Sequence, residues 1–390
     1  MPNVTDVRTT LDGGMRTTEV GRVLADAVSS ARHRAVEPAL LERFGPQLIE
    51  KALVHRVPGP LLHTFRHHGV AGEGALHARA VDDAIARMTA LLDVEWMAEV
   101  FAGADIDWLA FKGPVLTTIA GCDRWERPTT DLDVLVRGRD LERAIDLLVD
   151  AGGFHLDQNW ELMLERVIGE VHLIMPMGTS LDLHWNLLVN ESMRTMSTPD
   201  HAAIFDTART VDLDGVEVPT FGPAETLVYS CVHACISGGH RLVWLKDVEQ
   251  LVLADQPDWD DVVDVARSWG AAIQVGAIVG RTQRHLGLDV PDGVIERLVP
   301  NRALRLALEL LDRRRPVADA ELDESILRLA TRSLGPTTWV TVERFGRRAI
   351  AFARRRLLHG EPMSATELFV ERPGDGDRRR YFDAVVAASS

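Results

Sequence analysis

The chain has 390 residues, 46% of them hydrophobic, and a formal charge of −15. That length suggests two or three domains with a sizeable core, and the acidic balance argues against an extensive nucleic-acid footprint, which needs clustered lysine and arginine. No stretch reaches the roughly 18 uninterrupted apolar residues of a membrane span, and the opening MPNVTDVRTTLDGG lacks the basic and apolar regions of a leader, so a cytoplasmic, soluble protein with no membrane partner is expected.

From about Thr17 to Gly103 apolar residues recur at spacings of three and four, as in EVGRVLADAVSSA and AVDDAIARMTALLDVEWMAEVFAG, which predicts helices broken at Pro58–Gly59–Pro60 and at Gly72–Gly74. The texture then changes. IDWLAFKGPVL predicts a short strand running into a Lys-Gly-Pro turn, TDLDVLV a second strand, and LERAIDLLVDAGGF an amphipathic helix stopped by glycine. GEVHLIMP and SLDLHWNLL, joined through Met177, Gly178 and Thr179, predict a hairpin. RTVDLDGVEVPTF predicts another, turning at Asp214 and Gly215. From Pro223 the helical period returns, and the tail ERPGDGDRRRYFDAVVAASS reads as a loose end. Cys122, Cys231 and Cys235 are too few and too poorly spaced for a disulfide framework or a closed zinc site; on the helix after Pro223, Cys231 and Cys235 read as small buried thiols. The expected division is 1–103 helical, 104–220 a mixed α/β domain, and 221–390 helical.

The chemistry concentrates in RPTTDLDVLV, residues 127 to 136. Side chains alternate along a strand, so Asp131 and Asp133 share one face about 7 Å apart, while Leu132 turns towards the core. Two carboxylates that close repel unless a cation relieves them. Mg²⁺, or Mn²⁺ in its place, suits carboxylate oxygens with phosphate and water around it, and two such ions suit transfer at phosphorus. Asp182, a lone acid inside the apolar run SLDLHW, is the third candidate.

In haloacid-dehalogenase-like phosphatases and metal-dependent glycosyltransferases the apolar strand precedes the acid pair. Here polar RPTT precedes and apolar VLV follows, so the acids open the strand. This resembles the polymerase-β-like nucleotidyltransferases, and most closely their uncharacterised bacterial group carrying a KG…R…DLDLLV…DLHW signature followed by an H…RLxWLxD stretch. The resemblance covers about residues 90 to 255. It implies an α+β fold in which a nucleotidyltransferase domain with a small mixed sheet is flanked by N- and C-terminal helical regions. It also implies that Gly113 is the glycine turn, with Pro114 where the common pattern has serine and seventeen residues between Gly113 and Asp131. Asp131, Asp133 and Asp182 are then the catalytic and metal-binding acids.

The implied reaction transfers NMP from an NTP, by default ATP, to an acceptor oxygen with release of pyrophosphate, on two Mg²⁺ ions. The alternative is a catalytically inactive nucleotide-binding or toxin/antitoxin-type regulatory protein of the same fold. Only three of the 43 basic residues are lysine, so Lys112 stands out as a point charge for a β- or γ-phosphate, against the plain reading of a solvent-facing strand end. Arg127 steadies phosphate, braces the acids or forms a structural salt bridge. His184 shares the face of Asp182, either orienting it or packing in the core. Lys246 and Asp247, after RLVW, are read as substrate contacts or as an interdomain ion-pair cluster. The acceptor is left open among small-molecule, protein and tRNA-end classes.

Overall fold

The computed structural model describes residues 17–121, 127–320, 325–358, 368–370 and 376–389. Cys122 and the stretch read for a leader lie outside them. By contacts the chain divides into two units, each assembled from three segments: 1–82, 120–128 and 227–349 in the first, and 83–119, 129–226 and 350–390 in the second.

Among its described residues the first unit is helical. Pro38–Val54 follows Glu19–Val28, and the Pro-Gly-Pro read as a break is also a start: Val57 precedes a helix over Pro58–His68, because proline at the first helical position loses no hydrogen bond. Leu242–Ala254, Ala272–Leu286 and Arg302–Arg314 pack further on. Arg281 is 1% exposed, and its guanidinium reaches Asp312 Oδ1 at 2.8 Å, the Gly239 carbonyl at 3.0 Å and Thr331 Oγ1 at 3.1 Å. Arg284 also pairs with Asp312. Cys231 and Cys235 are free and buried.

The second unit is built on a five-stranded mixed sheet. Its strands are β1 (Trp108–Ala110), β2 (Leu132–Val136), β3 (Phe154–His155), β4 (Glu170–Ile174) and β5 (Ser180–His184), in the order β1-β2-β5-β4-β3. The β2–β5 pair is parallel and the rest are antiparallel. A separate hairpin, β6 (Arg209–Leu213) and β7 (Val216–Thr220), turns at Asp214 and Gly215 with φ of 56° and 100°. Both are positive, as a two-residue hairpin turn of matching twist requires.

One face of the sheet is the core. Leu132, Val134 and Val136 of β2, with Leu181 and Leu183 of β5 and Val171 and Leu173 of β4, pack beneath Leu141, Ile145 and Leu148 of the helix Leu141–Asp150 and beneath Val94, Met97 and Phe101 of the helix Gly74–Ala102. No helix among the described residues is long and apolar enough to cross a membrane.

Among its described residues the tail is not a loose end. Asp377–Ser389 is a helix whose Tyr381, Phe382 and Val385 are buried in this core. The Tyr381 hydroxyl donates to the Ile168 carbonyl at 2.7 Å, and the Trp185 indole donates to the same carbonyl at 2.7 Å. A charged DRRR opening hides a short apolar face from a reading by composition. Tyr381→Ala is expected to destabilise this unit by about 3 kcal/mol, through the cavity and the lost hydroxyl. A urea-midpoint shift corresponding to under about 1 kcal/mol would show the helix to be dispensable.

Candidate active site

The other face of the sheet is polar, and its register assembles the site. Asp133 on β2 lies directly beside Asp182 on β5, and Asp182 lies opposite His172 on β4. Two residues along the same face, His184 is opposite Glu170. The placement follows from the period of two: each strand sends alternate apolar residues to the core, leaving Asp133, Asp182, His184, Glu170 and His172 on the reverse side.

Asp133 is 1% exposed and carries the densest contacts. Lys112 Nζ donates to its Oδ1 at 2.5 Å, and His184 Nε2 lies 3.2 Å from the same oxygen. Its Oδ2 is buried without a hydrogen-bond partner. Burial pushes this carboxyl up, but Lys112 and then His184 outweigh it and hold Asp133 well below the usual carboxylate range.

Asp182 is in the opposite situation. Burial, then the charge of Asp133, then that of Glu170, push its carboxyl up to about 6. His184 is raised above its ordinary value: burial opposes the charged form, but the contact with Asp133 and the Glu170 charge prevail. His184 Nδ1 is 3.4 Å from Glu170 Oε2, and the ring meets Phe111 edge-on at 5.2 Å, with Phe111 stacked on Phe221.

Behind them, His172 Nε2 is 3.4 Å from Glu170 Oε1, and its Nδ1 is 3.1 Å from Asp157 Oδ1. Burial lowers His172, but bonding to Asp157 and Glu170 overrides it and carries the ring up to about 10. A continuous chain therefore runs Lys112, Asp133, His184, Glu170, His172, Asp157. Glu170, His172 and Asp157 were not singled out from sequence. The available signal was EVH opposite DLH, two strands with the same alternation of polar residues across one turn.

Gly113 sits in the turn after β1 with φ of +58°, and a Cβ there would come within 2.7 Å of the Asp131 carbonyl oxygen. The chain entering β2 thus passes hard against this turn, and only glycine fits both the conformation and the space. Gly113→Ala is expected to cost about 2 kcal/mol of stability and to displace Asp131. A melting temperature within a degree of the wild type would contradict the close approach.

Asp131 itself precedes β2, is half-buried, and takes a hydrogen bond from Thr130 Oγ1 at 3.0 Å. Among the described residues, one group of three or more side chains could share a metal ion: Asp133, Asp182 and His184, with a ligand atom from each within 4.8 Å of the others. Asp131 is not in it. The donor set fits a divalent ion, because two repelling carboxylates meet there and one buried oxygen, Asp133 Oδ2, has no hydrogen bond.

The remaining sequence candidates belong to the first unit. Arg127 grips Asp247 through two nitrogens, Nε to Oδ1 at 2.8 Å and Nη2 to Oδ2 at 3.3 Å. Lys246 Nζ donates to Glu249 at 2.9 Å and to Ser30 Oγ at 2.7 Å, and Glu249 in turn accepts from the Ser30 amide at 3.0 Å. The two neighbours on one helix thus enter separate ion pairs.

Among solved structures the chain is similar to an antigenic nucleotidyltransferase-like protein from Paracoccidioides brasiliensis, at 12% identity over 55% of this chain and 96% of that one, with a TM-score of 0.31, a likeness that carries no weight for fold or function. Among curated proteins there is no match. The profile of a family described as uncharacterised nucleotidyltransferase matches residues 46–287, more than half of the chain and the whole of the sheet described above. The chain belongs to that uncharacterised nucleotidyltransferase family.

Proposed function

We propose that the protein transfers a nucleoside monophosphate from an NTP to an acceptor oxygen, releasing pyrophosphate, at the face of β2 and β5. The observation that carries the reading is the side-by-side register of Asp133 and Asp182, with Asp133 Oδ2 buried and without a hydrogen-bond partner. Asp133 and Asp182 would hold a divalent ion, with His184 in reach of it and Asp131 at the entrance to β2. Mg²⁺, or Mn²⁺, supplies positive charge against the phosphate oxygens when bound there.

The chain's own groups do the rest. His184, fixed by Glu170 and Phe111, orients Asp133. Lys112 Nζ serves the triphosphate as a compact point charge. The Asp182 carboxylate, side by side with Asp133, accepts the proton of the attacking hydroxyl. Much of the acceleration comes from positioning and from charge already in place.

The test is isothermal titration of the four NTPs with and without Mg²⁺, followed by pyrophosphate release with candidate acceptors. Nucleotide binding that requires the ion supports the reading. Binding that is indifferent to the ion, with no pyrophosphate from any NTP, points to an inactive nucleotide binder and overturns it.

A further inference from the structure

The helix Pro58–His68 of the first unit carries imidazoles that the chemistry of the sheet does not use. His63 and His67 stand four positions apart on it, so they share one face, and both are exposed. Against this helix packs a single 3₁₀ turn, His33–Ala35, of the same unit. The His33 ring meets His63 at 5.4 Å and His67 at 5.9 Å between ring centres, edge-on to each.

The His33 ring is held in the state that a metal ligand needs. Its Nδ1 lies 3.1 Å from the carbonyl oxygens of both Ser29 and Ser30, so this nitrogen carries the hydrogen and donates. The lone pair is then left on Nε2, which is buried and has no hydrogen-bond partner. Pinning one ring nitrogen on a carbonyl while the other faces an ion is the usual way of orienting a ligating histidine. His68 braces the arrangement: its Nε2 donates to the His33 carbonyl at 2.9 Å and ties the turn to the helix.

Distance separates a site from a chance cluster. With metal–nitrogen bonds of about 2 Å, the centres of imidazoles on one tetrahedral ion lie about 5 Å apart. The two separations from His33 exceed that by less than about an ångström. The three rings are not converged as closely as the ligand atoms of Asp133, Asp182 and His184. The remaining travel falls to His63 and His67, whose exposed rings turn about their side-chain bonds without disturbing the core. Lys246 lines the same hollow as His33 and His63, but its charge is taken up by Glu249 at 2.9 Å.

We propose that His33, His63 and His67 bind a divalent transition-metal ion, with Zn²⁺ as the best fit, through three imidazole nitrogens. The fourth position is left to water from the adjoining hollow of about 190 Å³. Imidazoles without a carboxylate favour Zn²⁺, Co²⁺ or Ni²⁺ over Mg²⁺, so this site and the acids of β2 and β5 select different ions. Bound there, the ion clamps the turn after Glu19–Val28 to the helix Pro58–His68.

Equilibrium dialysis against Zn²⁺ tests this on the full chain carrying Asp182→Asn, which breaks the acid pair and leaves the imidazoles as the site to be filled. One equivalent is expected to bind with a micromolar or tighter dissociation constant, and X-ray absorption to show histidine nitrogens at about 2.0 Å. His33→Asn keeps an amide nitrogen near the place of Nδ1 and has nothing at Nε2. It is expected to keep the melting curve of the metal-free chain and to lose at least ~100-fold in affinity, more than the loss of an outer partner costs. His67→Ala alters an exposed ring, should lose as much, and decides the case if His33→Asn melts early. No uptake at tens of micromolar Zn²⁺ overturns the proposal, as does an ion surrounded by oxygen alone. A stable His33→Asn chain that binds as tightly as its parent also overturns it, because the exposed pair His63 and His67 would then suffice.

Discussion

Asp182→Asn is expected to lower pyrophosphate release by at least ~10³-fold while raising the melting temperature of the protein in EDTA. The second effect is electrostatic. The Asp182 carboxyl is pushed up to about 6 by burial and by the charges of Asp133 and Glu170, so its ionised form is disfavoured in the folded chain. An acid with a folded pKa above its unfolded value is most favourable to the fold below the unfolded value. That advantage falls away as pH rises, and is gone above about 6. At neutral pH the charge is therefore a burden of order 2 kcal/mol, which asparagine removes.

Asp133→Asn should abolish activity equally but lower the melting temperature, because it removes the buried carboxylate that Lys112 and His184 share. Adding Mg²⁺ should raise the melting temperature of the wild type and of neither variant. The pair of melting curves is the discriminating measurement: two variants shifted in the same direction in EDTA would contradict the opposite electrostatic roles, and retained turnover would remove the acids from the chemistry.

The second large effect lies in the helical unit. Asp312→Ala is expected to cost 3–5 kcal/mol, roughly the loss seen when one partner of a buried ion pair is removed and the other is left uncompensated. Here the stranded group is Arg281, which also holds the Gly239 carbonyl ahead of the helix Leu242–Ala254. Burial pushes the Asp312 carboxyl up, but Arg281 and Arg284 prevail and hold it below its ordinary value. Its contribution is thus complete above the ordinary carboxyl range and fades as pH falls through it. Urea unfolding at neutral pH reads the loss. A change below about 1 kcal/mol would mean that the surrounding helices carry Arg281 without its partner.

Much of this organisation is visible in the amino-acid sequence, and the reasons differ by element. The helices before Gly103, the strand of DLDVLV and the two hairpins announce themselves by period and by turn residues, all of them local signals. Asp133 and Asp182 stand out because each interrupts an apolar strand that has no structural use for a charge. Glu170 and His172 do not stand out, since EVH is what any strand with one wet face looks like; only the pairing of β4 with β5 turns that face into part of the site. The ion pairs of Arg127 with Asp247 and of Lys246 with Glu249 are equally silent, the first because its members are 120 residues apart. From its place after RLVW, Lys246 reads either as a substrate contact or as part of an ion-pair cluster. The partners it meets, the glutamate three positions on and Ser30, are not named by that stretch. The terminal helix escaped because its buried face is three residues wide and is preceded by four charged ones.

The parallel pairing of β2 with β5 has a consequence for how such a chain can change. The gap between Asp133 and Asp182 is set by the distance between neighbouring hydrogen-bonded strands and owes nothing to the length of polypeptide that separates them. The loops of the crossover can be lengthened or shortened without moving the two acids apart, provided that each strand keeps its phase and β4 keeps Glu170 opposite His184. A shift by a single position in either strand would turn its carboxylate into the hydrocarbon interior. Tolerance to insertion should therefore be broad in the connecting loops and vanish abruptly at Leu132 and Leu181.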